Sequence, residues 1–78
     1  SNAKENSAKQ SFVIQGNERV DQETILSLLS QKNGKKFSKN DIDDSLKKLY
    51  ESDFFADVQI TQNGDQVVIS VKENPLME

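Results

Sequence analysis

Asp57-Val58-Gln59-Ile60-Thr61-Gln62-Asn63-Gly64-Asp65-Gln66-Val67-Val68-Ile69-Ser70-Val71 alternates apolar and polar residues on both sides of a turn signal. Val58 and Ile60 alternate with Asp57, Gln59 and Thr61, and Val67, Ile69 and Val71 resume the period after the turn. A period of two places each set on one face of an extended strand. Asn63-Gly64 is the strongest short-range hairpin signal, and Asp65 is a candidate to extend the loop. Pro75 ends the return strand, because proline lacks a donor and fixes φ. This stretch is therefore an antiparallel hairpin with one apolar face, and that face needs a cover.

The cover comes from the preceding residues. Ser38 starts a helix with Asp41 three positions on, a capping box with Asp in the usual Glu position. Ile42, Leu46, Leu49 and Tyr50 follow at i, i+4, i+7 and i+8, which makes one apolar helix face. Asp43, Asp44, Lys47, Lys48 and Glu51 form the opposite face. Further upstream, Asp21 is a good N-cap, Glu23 suits the first turn of a helix, and Ile25, Leu28 and Leu29 recur at helical spacing with Leu26 at the margin. Asn33-Gly34 is a C-cap pattern that would end this first helix. Ser11 to Gln15 reads as a short strand with Phe12 and Ile14 on one face and Val13 on the other, followed by a Gly16-Asn17 turn.

The order is thus β-α-α-β-β. If the first strand runs up, the helices run down and up, and the hairpin strands run down and up. With the third strand central, it pairs antiparallel with the second and parallel with the first. The fold class expected is α+β: two layers, with a mixed three-stranded sheet of order 1-3-2 covered on one face by two helices. The expected core is Phe12, Ile14, Ile25, Leu28, Leu29, Ile42, Leu46, Leu49, Tyr50, Phe55, Val58, Ile60, Val67, Ile69 and Val71. Val13 and Val68 lie on neighbouring strands of the uncovered face and form a small apolar pair.

Composition restricts the function. The chain has 78 residues, enough for one core. It has no Cys and no His, so thiolate chemistry, the commonest general base and the commonest zinc ligand are all missing. The net charge of −3 counts against a nucleic-acid module, which carries a basic stripe. Asp41, Asp43 and Asp44 lack the glycine-containing spacing of a calcium loop and read as a solvated helix face. No catalytic, cofactor-binding or metal-ligating set is expected, so the chain is read as non-enzymatic. No apolar run approaches the ~20 residues of a membrane-spanning helix. Ser1-Asn2-Ala3 reads as a remnant of tag removal, and residues 1–10 as that remnant plus a disordered lead-in. Residues 11–75 are expected to be the folded domain, and 76–78 are read as the start of a linker to a following domain.

The motifs now resemble a family. Phe12-Val13-Ile14-Gln15-Gly16-Asn17-Glu18-Arg19-Val20 looks like the opening strand and Gly-Asn-x-Arg-Val/Ile turn of POTRA domains. Leu49-Tyr50 followed by Phe55-x-Asp57-Val58-x-Ile60 is similar to their Leu-Tyr-x-x-Gly-x-Phe-x-Asp-Val signature. Val71-Lys72-Glu73-Asn74-Pro75 looks like their closing Val-x-Glu-Asn/Arg-Pro. Together, in order and in spacing, these resemble the POTRA domains of BamA-like outer-membrane protein assembly factors. Asp53 stands where the family commonly has Gly, and Asp is one of the few other residues that tolerates a left-handed cap.

The resemblance implies a periplasmic portion of an outer-membrane protein, with tandem domains ahead of a membrane β-barrel not present in this fragment. It implies neighbouring POTRA domains, accessory assembly subunits and unfolded outer-membrane proteins as partners, and β-augmentation as the binding mode. The alternative machines are a two-partner secretion transporter and an FtsQ-type cell-division protein, which flanking sequence would separate. In the 1-3-2 order, Asp57, Val58, Gln59, Ile60, Thr61 and Gln62 form an edge that is either offered to a partner or guarded by its polar side chains. A proline at Gln59 or Thr61, whichever N–H faces outward, is the expected way to block it. Val13 and Val68 are secondary contact candidates. Gly16, Asn17, Arg19, Asn63 and Gly64 are read as turn-shaping residues, with Arg19 pairing an acid or capping carbonyls.

Overall fold

A computed structural model describes residues 10–30 and 36–77. Strand β1 (Ser11–Gln15) leads to helix α1 (Gln22–Ser27), helix α2 (Lys39–Glu51), strand β2 (Phe55–Asn63) and strand β3 (Gln66–Glu73). The sheet order is β1-β3-β2, with β1 parallel and β2 antiparallel to the central strand. This is the α+β architecture expected from periodicity and turn chemistry.

Local chemistry starts each helix as anticipated. The Asp21 carboxylate accepts from the Thr24 N–H at 2.8 Å. Asp41 N–H donates to Ser38 Oγ at 3.1 Å and Ser38 N–H donates to Asp41 Oδ2 at 2.8 Å, which completes a capping box. Helix α1 stops earlier than its apolar spacing predicts. Leu28 and Leu29 N–H turn back to the carbonyls of Ile25 and Leu26, tightening the end into i→i+3 bonds. The Ser30 N–H then donates to Ser45 Oγ on α2 at 2.8 Å, so it cannot extend the ladder. The expected Asn33-Gly34 cap lies outside the described residues. At the end of α2, Asp53 has φ 65, the only non-glycine positive φ among the described residues, so it takes the left-handed role usual for Gly.

The core lies between the helices and one sheet face. Ile25, Leu29 and Leu49 form one buried cluster with Phe55, Val58, Val67, Ile69 and Val71. Phe12, Ile14, Leu28, Ile42, Leu46 and Ile60 are partly buried around this centre. Tyr50 departs from the expected core: it is 42% exposed. The buried line of α2 runs through Ser45 and Leu49, and Tyr50 lies about 100° round the helix from Leu49, at the margin of the face. Val20 and Phe37, both in loops without periodicity, are core residues that pattern reasoning missed. The Phe37 ring packs edge-on against Phe12 with centroids 5.5 Å apart. Gln10 also belongs to the folded part, its Oε1 accepting from Gln62 Nε2 at 2.7 Å.

The hairpin loop is Gly64-Asp65, closed by the Asn63–Gln66 pair, so Asn63 is the last strand residue. Positive φ falls on Gly64 (64°) but not on Asp65, as a type II′ loop requires.

Candidate functional site

β2 is an edge strand, and its hydrogen-bond parity decides what it can offer. The Val58 N–H donates to the Tyr50 hydroxyl at 2.9 Å, so Val58 faces away from β3. In an antiparallel strand the N–H and C=O of a residue point the same way, and successive residues alternate. Ile60 and Gln62 therefore face outward, while Gln59, Thr61 and Asn63 bond to β3. The narrow Asn63–Gln66 pair that closes the two-residue loop agrees with this parity. Among the described residues, no group pairs with the outward backbone of Ile60 or Gln62. A proline at Gln59 or Thr61 would thus break the β3 ladder instead of blocking the edge. The edge-blocking position is Ile60.

Side chains follow the complementary rule. Val58, Ile60 and Gln62 point to the helix layer, and Asp57, Gln59 and Thr61 are exposed on the open face. Gln62 Nε2 also donates to the Phe37 carbonyl at 2.9 Å, which ties the hairpin end of β2 to the loop before α2. Beside the exposed set, Val13 and Val68 sit in direct register, with Thr61 on the other side of Val68. One row over, Ser70 Oγ donates to Gln15 Oε1 at 3.2 Å. The two valines are half-buried and form one small apolar strip in an otherwise polar face.

The turn residues have structural work. Gly16 has φ 90 and lies against the Val71 carbonyl. Asn17 Nδ2 donates to the Val20 carbonyl at 2.9 Å. Glu73, at the end of the central strand, accepts the backbone N–H groups of Glu18, Arg19 and Val20. Arg19 Nη2 donates to the Met77 carbonyl at 3.0 Å and so holds the chain after Pro75 against the domain. In the sequence Glu73 is legible only as part of the closing motif, since a carboxylate's backbone partners are invisible until the turn is folded. A shallow groove lined by Arg19, Val20, Asp21, Thr24, Phe54 and Met77 lies beside this turn. Its charged groups are engaged in the fold itself: Arg19 on Met77 and Asp21 on Thr24.

The Val20 N–H foremost, then those of Glu18 and Arg19 with the Arg19 charge, hold the Glu73 carboxyl below its ordinary value of 4.5, against a raising effect of burial. A depressed carboxylate stabilises the fold above its unfolded pKa and ceases to do so as pH falls through its folded pKa. Stability is therefore expected to drop below about pH 4.5 in thermal melts. Asp21, also lowered, through its Thr24 hydrogen bonds, adds to that drop. In Glu73→Gln the neutral-pH melting point falls and the acid-dependent loss shrinks to the remainder. An unchanged pH profile in that variant would show that Glu73 does not lock the turn.

Three strands in the order 1-3-2, two helices on one face and an open edge strand define a small α+β domain suited to protein interaction. The family model for POTRA, the surface antigen variable number repeat, matches residues 10–74. The chain belongs to the POTRA family. A comparison with curated proteins finds no match. POTRA domains are in general non-enzymatic interaction modules, typical of the periplasmic portions of outer-membrane or secretion proteins, and they also contact neighbouring POTRA domains. Among the described residues, no helix is long and apolar enough to cross a membrane.

Proposed function

We propose that this domain is a periplasmic, non-enzymatic interaction module of an outer-membrane β-barrel assembly machine. In this role it takes extended segments of unfolded substrate chains or accessory subunits onto β2 by strand addition. The observation that carries the proposal is the outward backbone of Ile60 and Gln62 on an edge strand, unpaired among the described residues. The polar outer face leaves side-chain selectivity weak, which suits a module that handles many sequences. The helix-facing side chains keep this strand anchored to the core while its edge is open.

The test is an amide-shift titration of the labelled domain with a short acetylated peptide of alternating valine and threonine, capped by lysines. Shifts are expected along β2. Ile60→Pro removes an outward N–H without touching the β3 ladder, so it is expected to fold, with reduced stability, and to lose binding. Shifts confined to the helices, or full binding by a folded Ile60→Pro variant, would sink the proposal.

A further inference from the structure

We infer that Tyr50 sets the register in which a partner strand adds to β2, by closing the Val58 position. The inference rests on the strand-addition reading above and concerns the same edge. An antiparallel partner exchanges N–H and C=O bonds with alternate residues of the edge, here Val58, Ile60 and Gln62. Tyr50 lies two residues before the C-cap of α2, and its ring reaches the beginning of β2. Its hydroxyl accepts from the Val58 N–H at 2.9 Å. The hydroxyl hydrogen has two acceptors within reach, Asp57 Oδ1 at 3.3 Å and the Val58 carbonyl at 3.4 Å. The oxygen thus stands where a partner strand would place its own carbonyl, and both outward groups of Val58 face it.

The consequence is an edge divided in two. Its α2-proximal end is shut by a side chain, and among the described residues nothing pairs with the backbone of its hairpin-proximal end. A partner strand is steered to the Ile60–Gln62 end, beside the Gly64-Asp65 loop, with no continuation past Val58. A capped end also protects the isolated domain from edge-to-edge pairing with its own copies. The side chain doing this is 42% exposed, so its removal leaves the core intact.

Two measurements on the wild type and Tyr50→Phe test this. In the free proteins, hydrogen exchange reads the cap directly. The Val58 amide is expected to be protected in the wild type and to exchange in Tyr50→Phe at a rate approaching that of Ile60. In titrations with the same valine-threonine peptide, wild-type shifts are expected at Ile60 to Gln62. In Tyr50→Phe they extend to Val58, and binding tightens about threefold to tenfold, the worth of one added backbone hydrogen bond. An unprotected Val58 amide in the wild type overturns the inference. So does a titration in which the two proteins bind alike. A protected Val58 with no peptide binding by either protein overturns the strand-addition reading itself, and the register with it.

Discussion

Gly16→Ala is expected to lower the stability of this domain by about 3 kcal/mol, which corresponds to a fall in melting temperature of roughly 12–24 °C for a chain of this size. Two causes add. Gly16 has φ 90, a conformation that side-chain-bearing residues adopt with strain. A Cβ there would also stand 2.0 Å from the Val71 carbonyl oxygen, and that oxygen belongs to the backbone of the central strand. A flexible side chain could swing away, whereas a carbonyl in the middle of a sheet cannot move without distorting the ladders on both sides of it. The turn would have to lift from β3, and the Glu18, Arg19 and Val20 N–H groups would be drawn off the Glu73 carboxylate. A domain of this length has roughly 4–12 kcal/mol of stability in total, so the variant approaches the limit of folding. A melting point within a few degrees of the wild type would show that the turn does not depend on this close approach.

Leu49→Ala is the second large effect, about 3 kcal/mol in a denaturant titration, with a loss of midpoint and little change of slope. Leu49 is fully buried and lies in the cluster with Ile25, Val67 and Ile69. Truncation removes transfer energy and leaves a cavity between α2 and the sheet that the rigid strands cannot close. The adjacent residue makes the contrast. Tyr50→Phe removes one oxygen from a side chain at the margin of the same helix face, and its effect is expected to be read at the edge of β2, with a much smaller change in stability. If the two substitutions destabilised the domain equally, α2 would sit rotated from the orientation described, with Tyr50 in the core.

That contrast also marks where sequence patterning stops being informative. Helical spacing grouped Tyr50 with Ile42, Leu46 and Leu49, because a wheel gives the width of an apolar face but not its centre. The centre was set by Ser45, a polar residue no hydrophobic pattern selects. It is fully buried because its hydroxyl meets the Ser30 N–H where α1 ends. Val20 and Phe37 escaped for a related reason. They belong to loops, where period carries no signal, and became core residues when those loops folded onto the buried cluster. The edge at Asp57 to Gln62 was legible as an edge from topology alone. Its parity was not, since which residues face outward depends on register and on the bulge between Phe55 and Asp57.

Elements, caps and strand directions follow from local rules that a linear chain already carries. Ser38 with Asp41 starts a helix, Asn63-Gly64-Asp65 reverses a hairpin, alternation selects a face, two intervening helices set the strand directions, and a central third strand then gives the 1-3-2 order. The contacts that cap the edge strand and lock the first turn lie beyond those rules. Val58 meets the Tyr50 hydroxyl and Gly16 meets the Val71 carbonyl, while Glu73 gathers three N–H groups from a turn more than fifty residues away in sequence. Each joins a backbone group to a residue of another element. Backbone groups are identical at every position, so no letter in the sequence records which of them will be met.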